Sequence, residues 1–236
     1  MVSDRMAVAL ALLHDDGQCG ATVPQAVAAQ AAAALGVDGI YAGLGTGPSG
    51  IVLAWGQQKI STELEDMQFT LGQGPGLDAV DAGVMLLVPD LLETAARWPA
   101  FVPAAVDLAV RAVFALPLRI GAISVGVLFA HRAAPGPLPD GALADALALA
   151  DAITVLVAHP KPPTGTADGP TPGLARPATY RAQVHQATGM ISVQLWVSLA
   201  EALVRLRARA FADDRLTAEV AADVVAHHLR FSERDL

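Results

Sequence analysis

The chain has 236 residues, 53% of them apolar but only 5% aromatic, with a net charge of -8; Ala, Val and Leu must therefore supply most of the packing surface, and the length allows one large domain or a medium one plus a small one. A mean hydropathy of +0.45 invites a membrane reading, yet the longest uncharged stretch, Gly17–Val37, is broken by Pro24 and interleaved with Gln18, Gln25 and Gln30, whereas a spanning helix needs about 20 strongly apolar residues. The short run Ala7–Leu13 sits between Asp4 and the pair Asp15 and Asp16, the wrong flanks for a signal peptide, so a cytoplasmic protein without membrane contact is expected, and the single cysteine, Cys19, allows neither an internal disulfide nor an all-sulfur metal site.

In chain order, Thr22–Leu35 is Ala-rich with Pro24 near its start and Gly36 after its end, which predicts a helix. The apolar runs Gly39–Leu44 and Ile51–Trp55 read as strands. The acids Glu63, Glu65 and Asp66 read as a solvated helix start, and the glycines at 43–50 and 72–76 as turns, because neither cluster has the GKS or GxGxxG context for phosphate. Val84–Val88 and Ala112–Pro117 are further strand candidates, separated by a helix over Phe101–Val110. Ile120–Phe129 is a third clear strand run, with Gly121 and Gly126 inside it suggesting twist, a bulge or close packing against a helix. A helix over Asp140–Ala158 aligns Leu143, Leu147, Ala150 and Thr154 and puts Asp145 and Asp151 elsewhere on the wheel. The order predicts an α+β domain with helices grouped on an antiparallel sheet.

Two catalytic or signalling readings fail on residues. The opening AVALALLHDD mimics the acidic pair of a phosphoacceptor receiver, but Ile51–Gly56 ends without an Asp and the stretch near Leu118 offers Arg119 rather than a Lys. No Ser/His/Asp or Cys/His set is apparent, so no enzyme activity is expected.

From His159 to Pro177 the sequence HPKPPTGTADGPTPGLARP holds six prolines and three glycines, a composition that favours extended conformations over a packed core. It divides the chain into domains at 1–160 and 178–236 with a linker at 161–177. The charge divides there as well: residues 1–173 carry seven basic and sixteen acidic residues, a balance of -9, and residues 174–236 carry eight and seven, a balance of +1. Any nucleic-acid contact is expected from the tail, and only weakly from charge alone.

The tail predicts three short helices. Ala178–Leu195 aligns Val184, Ala187, Ile191 and Leu195; Ser198 and Glu201 form a capping box ahead of Leu199, Ala202, Leu203, Leu206 and Ala210; and Thr217 suits an N-cap before Val220, Ala221, Val224 and Val225. Each is too short to be stable alone, so the stripes must pack together. For contact with RNA the residues themselves point to Arg181, His185, Gln186, Arg205, Arg207 and Arg209, since arginine offers both bidentate phosphate contacts and stacking. Arg205 and Arg209 share a helix face and Arg207 points away, so the three form no single patch; Arg205 has an equally good reading as a partner of Glu201. His227 and His228 diverge on a helix, against a metal site.

The segment LGQGPGLDAVDAGVMLLVPDL (Leu71–Leu91), the stretch ARWPAF (Ala96–Phe101) and the hairpin ALPLRIGAISVGVLFAHR (Ala115–Arg132) resemble GAF domains of actinobacterial regulators across nearly all of residues 1–160. This resemblance implies a sensor with a small-molecule ligand or another signal, whose identity and cofactor stay open. The run Val184–Val225 resembles the ANTAR family of transcription antiterminators. That resemblance implies a homodimeric regulator that binds RNA hairpins in nascent transcripts and favours the antiterminated form. Ala187, Gly189, Met190, Ala202, Leu206, Ala210 and Ala221 match its structural positions and Arg207 a basic one, while Thr188 stands where the family usually has Lys and Trp196 where it commonly has Gly. The expected RNA-contacting set is therefore Arg181, His185, Gln186, Thr188, Arg205 and Arg207. Trp196 there can pack, stack on a base or seal an interface, and with Thr188 and the near-neutral charge it keeps open a second role, dimerisation or protein docking.

Overall fold

The computed structural model describes residues 2–15, 25–45, 52–55, 59–158, 175–213 and 215–232. Five strands form one antiparallel sheet in the order β2-β1-β5-β4-β3, where β1 is Gly39–Leu44, β2 Val52–Trp55, β3 Leu86–Val88, β4 Ala112–Ile120 and β5 Ile123–Arg132. Helices α1 (Asp4–Asp15), α2 (Gln25–Leu35) and α6 (Ala142–Ala158) cover one face of it. Helices α3 (Lys59–Leu71), α4 (Pro75–Ala82) and α5 (Phe101–Asp107) cover the other. Helices α7 (Ala175–Leu195), α8 (Leu199–Ala212) and α9 (Thr217–Val225) make a separate bundle.

The strand pleat sorts side chains between the two cores. Along β4 and β5, Ala112, Phe114, Leu116, Leu118, Leu128 and Ala130 enter the core under α1, α2 and α6. Their neighbours Val113, Ala115, Val127 and Phe129 enter the core under α3–α5, with Tyr41, Trp98 and Phe101. Burial on both faces is why these strands read as continuous apolar runs rather than as an alternation, a pattern more usual for parallel sheets.

Several expectations are corrected here. The run Ile120–Phe129 is not one strand: Gly121, at φ +63°, turns the chain between β4 and β5. Gly126 stands at the irregularity where the β4–β5 register shifts, in line with the expected bulge, and its close approach is to β1, where a Cβ would collide with the Gly43 carbonyl oxygen. In α6 the buried stripe is Ala142, Ala146, Leu149, Ala150 and Ile153, while Leu147 is exposed. Asp145 is buried as well, because its carboxylate accepts from the Ser3 amide at 2.8 Å and the Ser3 hydroxyl at 2.6 Å, tying α1 to α6. The run Ala7–Leu13, to which the sequence pattern assigned no element, belongs to α1. Most of the Pro/Gly-rich linker, 159–174, and the glycines at 46–50 lie outside the described residues, as does Cys19.

The segments on either side of α4 and α5 are tied together by side-chain contacts. Asp78 on α4 accepts from Arg97 Nε at 3.0 Å, Arg97 Nη2 at 2.7 Å and Trp98 Nε1 at 3.2 Å, so the LDAV and RWP segments hold each other. Asp90 caps the short 3-10 turn Leu91–Thr94 and takes a two-point contact from Arg111, at 3.2 and 2.7 Å; the Arg111 hydrogen bond, then that from the Leu92 amide, hold its carboxyl below the usual carboxylate range. No single described helix is long and apolar enough to cross a membrane.

Candidate nucleic-acid interface and its seam with the sheet domain

The C-terminal helices bury the stripes that their sequence spacing predicts. Val184, Ala187, Ile191, Ala202, Leu203, Leu206, Ala210, Val220, Ala221 and Val224 share one core. Ser198 accepts from the Glu201 amide at 3.2 Å and starts α8 as expected. Two positions differ. Leu199 is exposed, because it sits at the first turn, beyond the reach of α7. Thr217 does not cap α9; Leu216 holds that place, and the buried Thr217 hydroxyl instead meets Thr70 Oγ1 of α3 at 3.0 Å.

That hydrogen bond is part of a seam between the bundle and the sheet domain. Phe69 of α3 is buried in the core of the bundle rather than that of the sheet. Arg207 lies over its ring, 4.8 Å from the centroid. The guanidinium also rests on Gly72, the left-handed residue that ends α3 at φ +63°, where an added Cβ would stand 3.3 Å from Arg207 Nη1. A cavity of about 270 Å³ opens along this seam, lined by Phe69, Val184, His185, Thr188, Leu199, Ala200 and Leu203. Helix α7 also runs beside edge strand β2.

The six residues expected to meet RNA are therefore dispersed. His185 and Gln186 are exposed on α7; Arg181 precedes His185 by one turn, and its side chain lies outside the described residues. Thr188 is buried and donates to the Val184 carbonyl at 2.7 Å, a back-bond that satisfies its hydroxyl within its own helix and removes it from any surface. Arg205 takes the pairing alternative, with Nη2 at 2.7 Å from Glu201. Arg209 likewise meets Asp213 at 2.7 Å. Arg207 is turned into the seam, and burial pushes its pKa down. Its Nε is buried with no hydrogen-bond partner. Thr188 is thus held within its own helix, and Arg207 lies half-buried against Phe69.

Residues that sequence reasoning missed lie on α3. Its acids were read as a solvated start, yet Glu65 is buried and burial, with Glu63 adding to it, pushes the Asp66 carboxyl up to about 6. Toward the sheet, α3 presents a polar row: the Ser61 hydroxyl is 3.1 Å from His131 Nε2, and the Gln68 amide donates to Tyr41 Oη at 3.0 Å and accepts from the Gly76 amide at 2.7 Å. Burial holds His131 down to about 4, so it is neutral at pH 7. Tyr41 stacks on Phe129 with centroids 4.9 Å apart. The next residues, Phe69 and Thr70, face the bundle, so α3 is buried on both sides. The hint in the sequence is an aromatic side chain near the end of a helix that also carries Ile60, Leu64, Met67 and Leu71.

Trp196 is 93% exposed. It ends α7 with φ +55°, a left-handed conformation that explains why glycine suits this position. Among the described residues no group of three His, Cys, Asp or Glu side chains is arranged to hold a metal.

About two thirds of the chain has the GAF fold. The GAF domain of a phosphoenolpyruvate-protein phosphotransferase from Acinetobacter matches with a TM-score of 0.50 at 14% identity, covering 67% of this chain and 96% of that one. The GAF domain of the phosphoenolpyruvate-protein phosphotransferase from Coxiella burnetii matches with a TM-score of 0.50 at 16% identity, covering 66% of this chain and 96% of that one. At such identity the likeness concerns the fold alone. No protein-family model matches the chain, and no curated protein matches it.

Proposed function

We propose that this chain is a non-enzymatic, signal-responsive regulator that acts as a homodimer, in which the GAF-fold sensor responds to a small molecule or another signal and the C-terminal helices bind RNA hairpins to favour transcription antitermination. The observation that carries the reading is the bundle itself. Five of the seven structural positions matched to the ANTAR family, Ala187, Ala202, Leu206, Ala210 and Ala221, enter one core, which supports the reading. His185 and Gln186 remain exposed on α7. Titration of full-length protein into an RNA with two tandem hairpins tests it. Affinity should fall with added salt, and Arg207→Ala should weaken binding and flatten the salt slope by about one. Salt-insensitive or absent binding sinks the reading.

A second reading, dimerisation or protein docking through the bundle, is favoured by one observation. Trp196 is exposed beside Val193 and Leu199, at 71% and 62% exposure, while Val204 and Phe211 are exposed along α8, more apolar surface than a small bundle usually leaves to water. Light scattering on Trp196→Gly checks it: an unchanged oligomeric state counts against an interface there.

A further inference from the structure

Four arginines lie on α8 and the turn after it, and three of them are committed. Arg205 meets Glu201, Arg209 meets Asp213, and Arg215 meets Asp223 and Glu219. Arg207 has no carboxylate partner among the described residues, and burial alone lowers its pKa. Its guanidinium lies over the Phe69 ring, 4.8 Å from the centroid, and only its Nε is sealed without an acceptor. Arg205 Nε is sealed in the same way, but there Nη2 already donates to Glu201. On Arg207 the terminal nitrogens are not closed off, and Gly72 leaves the room into which a Cβ would press, 3.3 Å from Nη1. A planar cation stacked on a ring uses its face, so the N–H donors along its edge stay available to an anion.

The ring beneath it is fixed from two directions. Gln68, the residue before Phe69, donates to Tyr41 Oη at 3.0 Å and accepts from the Gly76 amide at 2.7 Å. Thr70, the residue after it, meets Thr217 of the bundle at 3.0 Å. Between them Phe69 is buried in the core of the bundle. An arginine side chain otherwise samples many rotamers, and a contact with RNA has to order it. Stacking on a ring that is already held removes part of that cost before RNA arrives.

We infer that Phe69 is a positioning residue for RNA: the ring from the sheet domain holds the Arg207 guanidinium flat at the seam and leaves its donor edge to one backbone phosphate. The inference rests on the RNA-hairpin reading above and deepens it, because the phosphate site is then made by both domains. The bundle supplies the cation and the sheet domain its platform. A displacement of α3 changes RNA affinity even though RNA touches no residue of the sheet domain.

The test uses the full chain with four variants. Phe69→Leu keeps an apolar side chain in the core and removes the ring, Phe69→Tyr keeps the ring, and Arg207→Ala is made alone and together with Phe69→Leu. Binding to a tandem-hairpin RNA is followed by fluorescence anisotropy. Phe69→Leu should weaken binding about fivefold, Phe69→Tyr should bind like the parent, and adding Phe69→Leu to Arg207→Ala should change affinity by less than about twofold. In the unliganded parent, the Arg207 Nε–H proton, identified by its loss in Arg207→Lys, should resonate upfield through the ring current of Phe69. A signal at the ordinary arginine position in the parent would overturn the inference whether or not Phe69→Leu folds. An equal loss from Phe69→Leu with and without Arg207 would make the ring a packing residue only. Parental affinity in Phe69→Leu or in Arg207→Ala, or a Phe69→Tyr as weak as Phe69→Leu, would overturn the positioning and leave the RNA reading in place. No binding by the parent itself, with its helices folded by circular dichroism, would overturn the RNA reading and the positioning with it.

Discussion

The sheet domain and the C-terminal bundle are built to different depths. The sheet domain has a core on each face of its sheet, one of them centred on Tyr41, Trp98, Phe101 and Phe129. The bundle has one thin core of mostly Ala, Val and Leu, and the sheet domain contributes Phe69 to it. The sheet domain can therefore define its own fold, whereas the bundle borrows a side chain from its neighbour. What looks like a linker between two independent domains joins a thick domain to one that leans on it.

The largest expected effect lies in the sheet domain. Phe129→Ala removes a fully buried ring stacked on Tyr41 and should cost about 4 kcal/mol, read as a shift in denaturant midpoint. Coincident loss of sheet and helix signals would sharpen the comparison, and two well-separated transitions would break it. Gly74→Ala should cost about 2 kcal/mol, since it forces a side chain into φ +146° and onto Gln68. A change of less than a few tenths would mean that the Gln68 grip is not as described.

Effects in the bundle are smaller and have opposite signs. Ser198→Ala removes the α8 cap and should cost about 1 kcal/mol; the loss should appear as faster amide exchange at the start of α8 with the sheet domain unchanged. Trp196→Gly should stabilise by about 1 kcal/mol, because glycine adopts the left-handed conformation without strain. A loss of stability would place Trp196 against something it does not touch here.

The smallest net effect concerns pH, because two groups on the α3 side of the sheet oppose each other. His131 is held neutral down to about 4, against 6.5 in the unfolded chain. The unfolded chain thus takes up the proton first, and stability is lost as pH falls through this window. Asp66, raised to about 6 from 3.8, keeps its proton longer in the folded chain, so stability is gained as pH falls from about 6 toward 3.8. Asp66→Asn should therefore raise stability at pH 7 and uncover a fall between pH 6.5 and 4. Denaturant midpoints at pH 7, 5 and 4 decide it, and a flat profile in Asp66→Asn would be the wrong outcome.

Local pattern was enough for β1, for helices over most of α2, α5, α6 and α8, for the Ser198 cap and for the bundle stripes, because each depends on periodicity and end chemistry within one segment. It also carried the α+β class. Periodicity set β4 and β5 apart as a hairpin but placed the turn a few residues early, since a sheet buried on both faces erases the alternation that marks where a strand ends. Nor did it assign Glu65, Asp66 or Asp145 to the interior, because a carboxylate is buried only where a distant partner or packed neighbour receives it, as Ser3 receives Asp145. The fate of the arginines follows the same division. The Glu201–Arg205 pairing was readable as a spacing of four on one helix, but the turn of Arg207 onto Phe69 joins residues 138 positions apart. Only the tertiary structure places that ring beside that cation, and it makes a residue expected at the surface part of a closed seam.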